Sequence, residues 1–164
     1  MGLLEPHGRG RQLFRRNALT ADPVIVVHSL AHAVAALTAA AEAGRPVVLA
    51  SAPEAGIYGG PGWWREMIVA ARAAVPAARC ASLLDCGGDA AAAQAAIRAG
   101  VEAIGFAGRA DVAARLADIA RQRGIDLFAE RPAAALDLGR SFFAGADALH
   151  RHCADVLASG TAFC

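Results

Sequence analysis

Residues 81–106 read ASLLDCGGDAAAAQAAIRAGVEAIGF, and this run decides the fold. A short apolar segment, Ala81 to Leu84, breaks off at Asp85-Cys86-Gly87-Gly88. Asp89 then stands where a helix N-cap belongs, Ala90–Ala99 is helix-forming, and Gly100 closes it. A second apolar run, Ala103–Phe106, follows at once. Strand, turn, helix and strand in so short a span make the β-α-β unit of a parallel sheet.

The same period extends in both directions. Upstream, VIVV at Val24–Val27 ends in His28-Ser29 and leads into a helix whose Leu30, Val34, Leu37 and Ala41 are spaced as one buried face. Gly44 and Pro46 end that helix. VVLA at Val47–Ala50 comes next, then the loop SAPEAGIYGGPG and a helix opened by Pro61, with Trp64, Ile68, Ala71 and Val75 on one side. Downstream, Asp111 is placed to cap a helix whose Val112, Leu116 and Ile119 form a stripe, and Gly124 ends it. IDLFA at Ile125–Ala129 is the fifth run, and a helical tail carries Phe142, Phe143, Leu149 and Val156. Continuous apolar strands joined by helices predict an α/β fold: five β-α units in one parallel sheet, with helices on both faces. Right-handed crossovers allow an open, doubly wound, flavodoxin-like sheet or, as the alternative, half of a β/α barrel. The open sheet is the expectation. Residues 22–164 read as a single domain behind a flexible basic arm, 1–21, that carries Arg9, Arg11, Arg15 and Arg16.

The 164 residues suit one domain and fall short of a closed eight-unit barrel, which needs about 250. Apolar residues make up 56% against 19% charged, which excludes a disordered chain. All sixteen basic residues are arginine, so Schiff-base, P-loop and pyridoxal-lysine chemistry is ruled out. A pI near 7.8 argues against a nucleic-acid partner. Pro23–Ala41 lacks charge over a nearly membrane-spanning length, but it changes period from strand to alanine-rich helix, so no membrane span is expected. The first twenty residues lack the apolar segment of a signal peptide, and Cys80, Cys86, Cys153 and Cys164 form no C-x-x-C pair. Reduced thiols in the cytoplasm are the expectation. Alanine-rich helix faces and a mean hydropathy of +0.38 point to a homodimer.

In open parallel sheets ligands lie beyond the strand C-termini, where helix N-termini attract anions. Those ends carry His28, Ser29, Ser51, Gly87, Arg109, Glu130 and Arg131, with Tyr58 in the glycine-rich loop, as candidate ligand contacts. Asp85 and Cys86 are the candidate catalytic pair. Asp85 is suited to general acid or base work or to orienting a hydroxyl, or else simply caps its loop. Cys86 is a nucleophile or soft metal ligand if ionised, and a small core hydrophobe if not. Arg109 and Arg131 are suited to clamping a phosphate or carboxylate. His28 and His32 lie four apart but straddle a strand end, and His150, His152 and Cys153 point different ways on a helix, so no metal is expected. The loop Gly56–Gly62 is no G-x-G-x-x-G fingerprint and follows the second strand, so no cofactor is expected, although a nucleotide or flavin binder stays open.

From Ser29 to Phe106 the chain resembles the first half of class II fructose-bisphosphate aldolases and related β/α barrels. The resemblance rests on AAEAGRPVVLASAPEAG, a glycine-rich loop, and LLDCGGDAAAAQAAIRAGVEAIGF. The family's third segment typically reads His-Leu-Asp-His-Gly, so Leu84, Asp85 and Gly87 keep it and Asp85 matches the family's catalytic carboxylate. Leu83 replaces the first histidine, Cys86 stands where a zinc-ligand histidine is expected, and Ala107-Gly108 replaces an Asp-Gly-Ser ending. The resemblance implies β/α architecture and lyase-type chemistry at Asp85, without an intact zinc site. The function expected is thus binding of a small, anionic or phosphorylated metabolite, with aldolase-like chemistry if catalytic. The alternative is a non-enzymatic oligomerising or regulatory module derived from a barrel half.

Overall fold

The structure is a computed structural model that describes residues 21–159. The expected basic arm therefore lies outside the described residues except for Ala21, as does Cys164. Strands β1 (Val24–Val27), β2 (Val47–Ser51), β3 (Cys80–Asp85), β4 (Ala103–Gly105), β5 (Asp126–Phe128) and β6 (Leu136–Asp137) form one six-stranded sheet, ordered β5-β4-β3-β2-β1-β6. Every pairing is parallel. The sheet is open, as expected, and does not close into a barrel.

The helices are α1 (Leu30–Glu42), a single turn α2 (Ala55–Tyr58), α3 (Pro61–Ala74), α4 (Ala90–Ala99), α5 (Ala110–Gln122) and α6 (Ala146–Ser159). Their neighbours run α6-α1-α3-α4-α5, the order of the strands they connect. This refines the doubly wound expectation, because β1 to β5 lie side by side in chain order, as in an arc of a barrel. Alternation along the strands makes two cores. Ile25, Val27, Val47, Leu49, Leu84 and Ile104 meet the helices, with Trp64, Ile97, Leu116 and Leu149 among their partners. Val24, Val26, Val48, Ala50, Ala81, Leu83 and Ala103 form a separate cluster of smaller side chains, with Phe128 against it.

Most elements follow the sequence reading. Asp89 caps α4 by accepting the Ala92 N–H at 2.9 Å, and Gly100 supplies the left-handed turn behind it at φ +74°. Four expectations are corrected. α5 is entered from Arg109, which places Asp111 in its first turn, and Ala120 rather than Ile119 joins Leu116 inside. The buried stripe of α1 runs through Ala33, Ala36, Leu37 and Ala40, while Leu30 is exposed. Phe142 and Phe143 precede α6 instead of belonging to it. Finally, the fifth unit has no helix of its own. Residues 129–135 carry the chain from β5 to the start of β6, on the far side of β1.

Five inter-strand spacings come to about 24 Å in a flat sheet. The connection reaches little further, at roughly 3.3 Å per residue, so its path is direct. Two contacts fix it. Arg131 is bound at the ends of β2 and β3, and the Ala135 N–H donates to Val24 O at 2.8 Å beside the start of β1. At the opposite end of the sheet Arg72 grips Glu102 with Nη1 and Nη2, at 2.5 and 2.9 Å, and Glu102 also accepts from Ser82.

Candidate functional site

Two polar groups sit at the C-terminal ends of the strands. The first is built on Asp85, the last residue of β3. Its Oδ1 accepts the Glu54 N–H at 2.9 Å and the Gly87 N–H at 2.8 Å, and its Oδ2 accepts from Arg131 Nη1 at 2.9 Å. Arg131 Nη2 reaches the Ser51 carbonyl, and the Ser51 hydroxyl accepts the Asp85 N–H at 2.9 Å while donating to Ala52 O. The structure thus brings Asp85, Ser51, Gly87 and Arg131 together, as contacts of one another. Asp85 ties the loop after β2, the turn after β3 and the 129–135 connection into one knot.

The knot needs two unusual backbone positions. Gly87 has φ +53°, and a Cβ there would come within 2.9 Å of the Glu54 side chain. Glu54 itself is left-handed at φ +59°, where a side chain is strained. Cys86 is fully buried, its sulfur filling the space beside Gly56. Burial, together with the charges of Asp85 and Asp89, pushes its thiol up to about 12. In this position its sulfur packs as a small hydrophobe, closed off from solvent.

The second group lies over β1 and β6. His28 Nε2 is 2.6 Å from Asp137 Oδ1, which also accepts the Gly139 N–H at 2.8 Å. Asp137 is therefore the acceptor, and the His28 proton sits on Nε2 when the ring is neutral. Burial opposes the charge of Asp137, but the Gly139 N–H and the His28 ring hold its carboxyl below the usual range. The His28 backbone N–H donates to Nδ1 of His32 at 3.2 Å, an arrangement that requires His32 to be neutral. His32 is wholly buried, and burial first, then the charge of His28, lowers its pKa. Phe142 packs edge-on against His32 at 5.5 Å. Ser29 caps α1 by accepting the His32 N–H at 3.3 Å.

Beside this pair is a cavity of about 280 Å³, lined by Val27, His28, Ala52, Pro53, Ala55, Tyr58, Gly59, Trp63 and Phe142. Tyr58 is 81% exposed and stands at this cavity. Arg109 is exposed and paired with Asp111 at 3.0 Å, and Glu130 is exposed too; neither contacts the two groups. Asp137 was missed because β6 is only two residues long and gives no periodic signal. Trp63, in the first turn of α3, and Phe142, ahead of α6, are visible in the sequence as aromatics, but their convergence on His28 is a property of the fold.

No family model matches the chain, and no curated protein matches it in sequence. Among solved structures, it is similar to a Coccidioides immitis protein described as a fructose-1,6-bisphosphate aldolase, at TM-score 0.57 and 22% identity over 76% of this chain. It is also similar to a Sinorhizobium meliloti 1021 protein described as a tagatose 6-phosphate kinase, at TM-score 0.50 and 17% identity over 87% of this chain. The chain spans 46% of the length of each. At such identities the likeness is one of fold. It agrees with the barrel-like strand order and with the resemblance read from residues 29–106.

The zinc ion which that resemblance brings to mind does not fit the residues present. Leu83 is buried among the small side chains of the second core, and Cys86 is buried with its sulfur packed beside Gly56. Among the described residues no three His, Cys, Asp or Glu side chains are grouped to hold a metal. No helix among them is long and apolar enough to cross a membrane.

Proposed function

We propose that the chain binds a small metabolite at the C-terminal ends of its strands, in the cavity beside His28. The observation that carries this reading is the His28–Asp137 pair at 2.6 Å on the wall of an aromatic-lined cavity. A carboxylate that holds Nε2–H leaves Nδ1 with its lone pair, the form in which an imidazole takes a proton from a ligand. If the chain is catalytic, a lyase-like proton transfer falls to His28. Asp85 is then a positioning residue, since both of its oxygens are engaged by Glu54, Gly87 and Arg131. The anionic character expected of the ligand rests on Arg131, whose guanidinium keeps donors beyond the two it uses on Asp85 and Ser51 and is 26% exposed. Against it stands the excess of carboxylates at these ends, where Glu54, Asp85, Glu130 and Asp137 outnumber Arg109 and Arg131.

The test is a thermal-shift screen of small metabolites, charged and uncharged, on the wild type and on His28→Ala. A ligand at 100 times its dissociation constant stabilises the fold by about 2.7 kcal/mol. The reading expects at least one shift that His28→Ala removes. A panel in which every shift survives that substitution would contradict it.

A second reading, self-association, is supported by a groove of about 560 Å³ between α1 and α6. It is lined by Leu30, Ala31, Val34, Thr38 and Ala146, with Leu30 45% exposed. Light scattering at micromolar concentration tests it: a dimer that Leu30→Asp splits is expected, and a wild-type monomer would refute it.

A further inference from the structure

The cavity beside His28 is built for a particular kind of molecule, and this inference rests on the reading just proposed. Among the described residues, its lining includes no arginine, aspartate or glutamate. Arg131 and Arg109, each paired with a carboxylate at 2.9 and 3.0 Å, do not line it. What the cavity does offer is aromatic surface, in Tyr58, Trp63 and Phe142. Phe143 stacks edge-on against Phe142 at 5.1 Å and is itself 97% exposed.

The position of Trp63 is prepared by the backbone. A Cβ on Gly59 would lie 2.9 Å from the Trp63 ring, so the absence of a side chain lets the indole rest against the loop. Phe142 is held from behind by His32. Each of these two aromatic walls is therefore backed by another part of the chain. Flat rings stack on such walls in offset or edge-to-face contact, which adds to their hydrophobic burial. An apolar cavity of about 150 Å³ holds a benzene ring. A volume of about 280 Å³ thus suits one substituted ring.

His28 supplies the polar requirement. Asp137 takes Nε2–H, and Nδ1 has no partner among the described residues. A bare imidazole nitrogen accepts a hydrogen bond, so the ligand group facing it must be a donor. We propose that the cavity binds an uncharged, flat ring bearing a hydroxyl, a molecule of the phenol class, with the ring between Trp63, Tyr58 and Phe142 and the hydroxyl donating to His28 Nδ1. Anionic metabolites without a ring are the wrong chemistry for this wall.

Saturation-transfer NMR with phenol, anisole, benzoate and glycerol phosphate separates the alternatives, with titrations on the wild type, His28→Ala, Trp63→Ala and Tyr58→Ala. Trp63 and Tyr58 are exposed, and circular dichroism checks that each variant is folded. Phenol is expected to receive saturation, anisole to bind at least fivefold more weakly for want of the donor, and benzoate and glycerol phosphate to compete poorly. Each ring-wall substitution is expected to weaken phenol at least threefold, and His28→Ala to bring phenol down to the level of anisole. Two results overturn the proposal. One is phenol binding indifferent to Trp63→Ala and Tyr58→Ala, which would mean that the aromatic patch serves some other occupant, such as a protein. The other is competition by glycerol phosphate that His28→Ala abolishes, which keeps the strand-end site but assigns it to anions. If His28→Ala changes the binding of no compound here or in the thermal-shift screen, the underlying reading fails as well.

Discussion

The two polar groups at the strand ends are built from similar residues and are disposed in opposite ways. Over β2 and β3, Asp85 accepts from two backbone N–H groups and an arginine, and its oxygens face other parts of the chain. Over β1 and β6, Asp137 holds one nitrogen of His28 and leaves the ring at a cavity. A carboxylate at a strand C-terminus is thus not in itself a reactive group. Whether it does chemistry depends on how many of its lone pairs the fold has already claimed, and Asp85 has the fewest left.

This contrast predicts where substitutions damage the fold and where they damage only binding. The largest effect on stability belongs to Asp85→Ala. It strands a partly buried guanidinium and two backbone donors, at a cost of about 3 kcal/mol. That corresponds to a fall in Tm of roughly 9 °C for a domain of this size, readable by calorimetry. A loss as small as that of an ordinary surface substitution would show that the knot is incidental. Gly87→Ala comes next, at about 1.5 kcal/mol, because its backbone is left-handed and its Cβ would press on Glu54. Urea unfolding checks it.

The buried His32 gives the contrast a pH signature. Its pKa is lowered in the folded state, so the unfolded chain binds the extra proton first. Stability from this group is complete above the ordinary histidine pKa of about 6.5 and is lost as pH falls below it, towards the folded value. Melting temperatures between pH 7.5 and 5 should therefore decline. His32→Asn keeps an acceptor for the His28 N–H but cannot take a proton in this range, and it should flatten that part of the decline. An unchanged slope would remove His32 as the cause. The smallest effect on stability is expected of His28→Ala, at about 0.5 kcal/mol, since its partner Asp137 is half exposed. Its effect on ligand binding should nonetheless be the greatest of the set.

Much of the fold was legible because alternation of apolar runs and helix stops is a local property. Val24–Val27, Asp89 and Gly100 announce their roles within a few residues. The doubling back to β6 was not legible, since Leu136–Asp137 is too short to show a period and pairs with β1 more than a hundred residues away. At the site, Asp85 and Arg131 could be picked out as polar residues at strand ends. Their mutual engagement could not, because it follows from where the 129–135 connection crosses. For the same reason the sequence pointed to Asp85 as the chemical centre and only listed His28 among the contacts. Its partner Asp137 belongs to the strand that carries no signal.

The central claim is that the available group is His28 and that Asp85 is a structural tie. Histidine-selective and carboxyl-selective NMR during a phenol titration tests it most directly. The account predicts that the ring nitrogen signals of His28, Nδ1 above all, move saturably while the Asp85 carboxyl carbon stays in place. A saturable shift at Asp85 with His28 unmoved would contradict it.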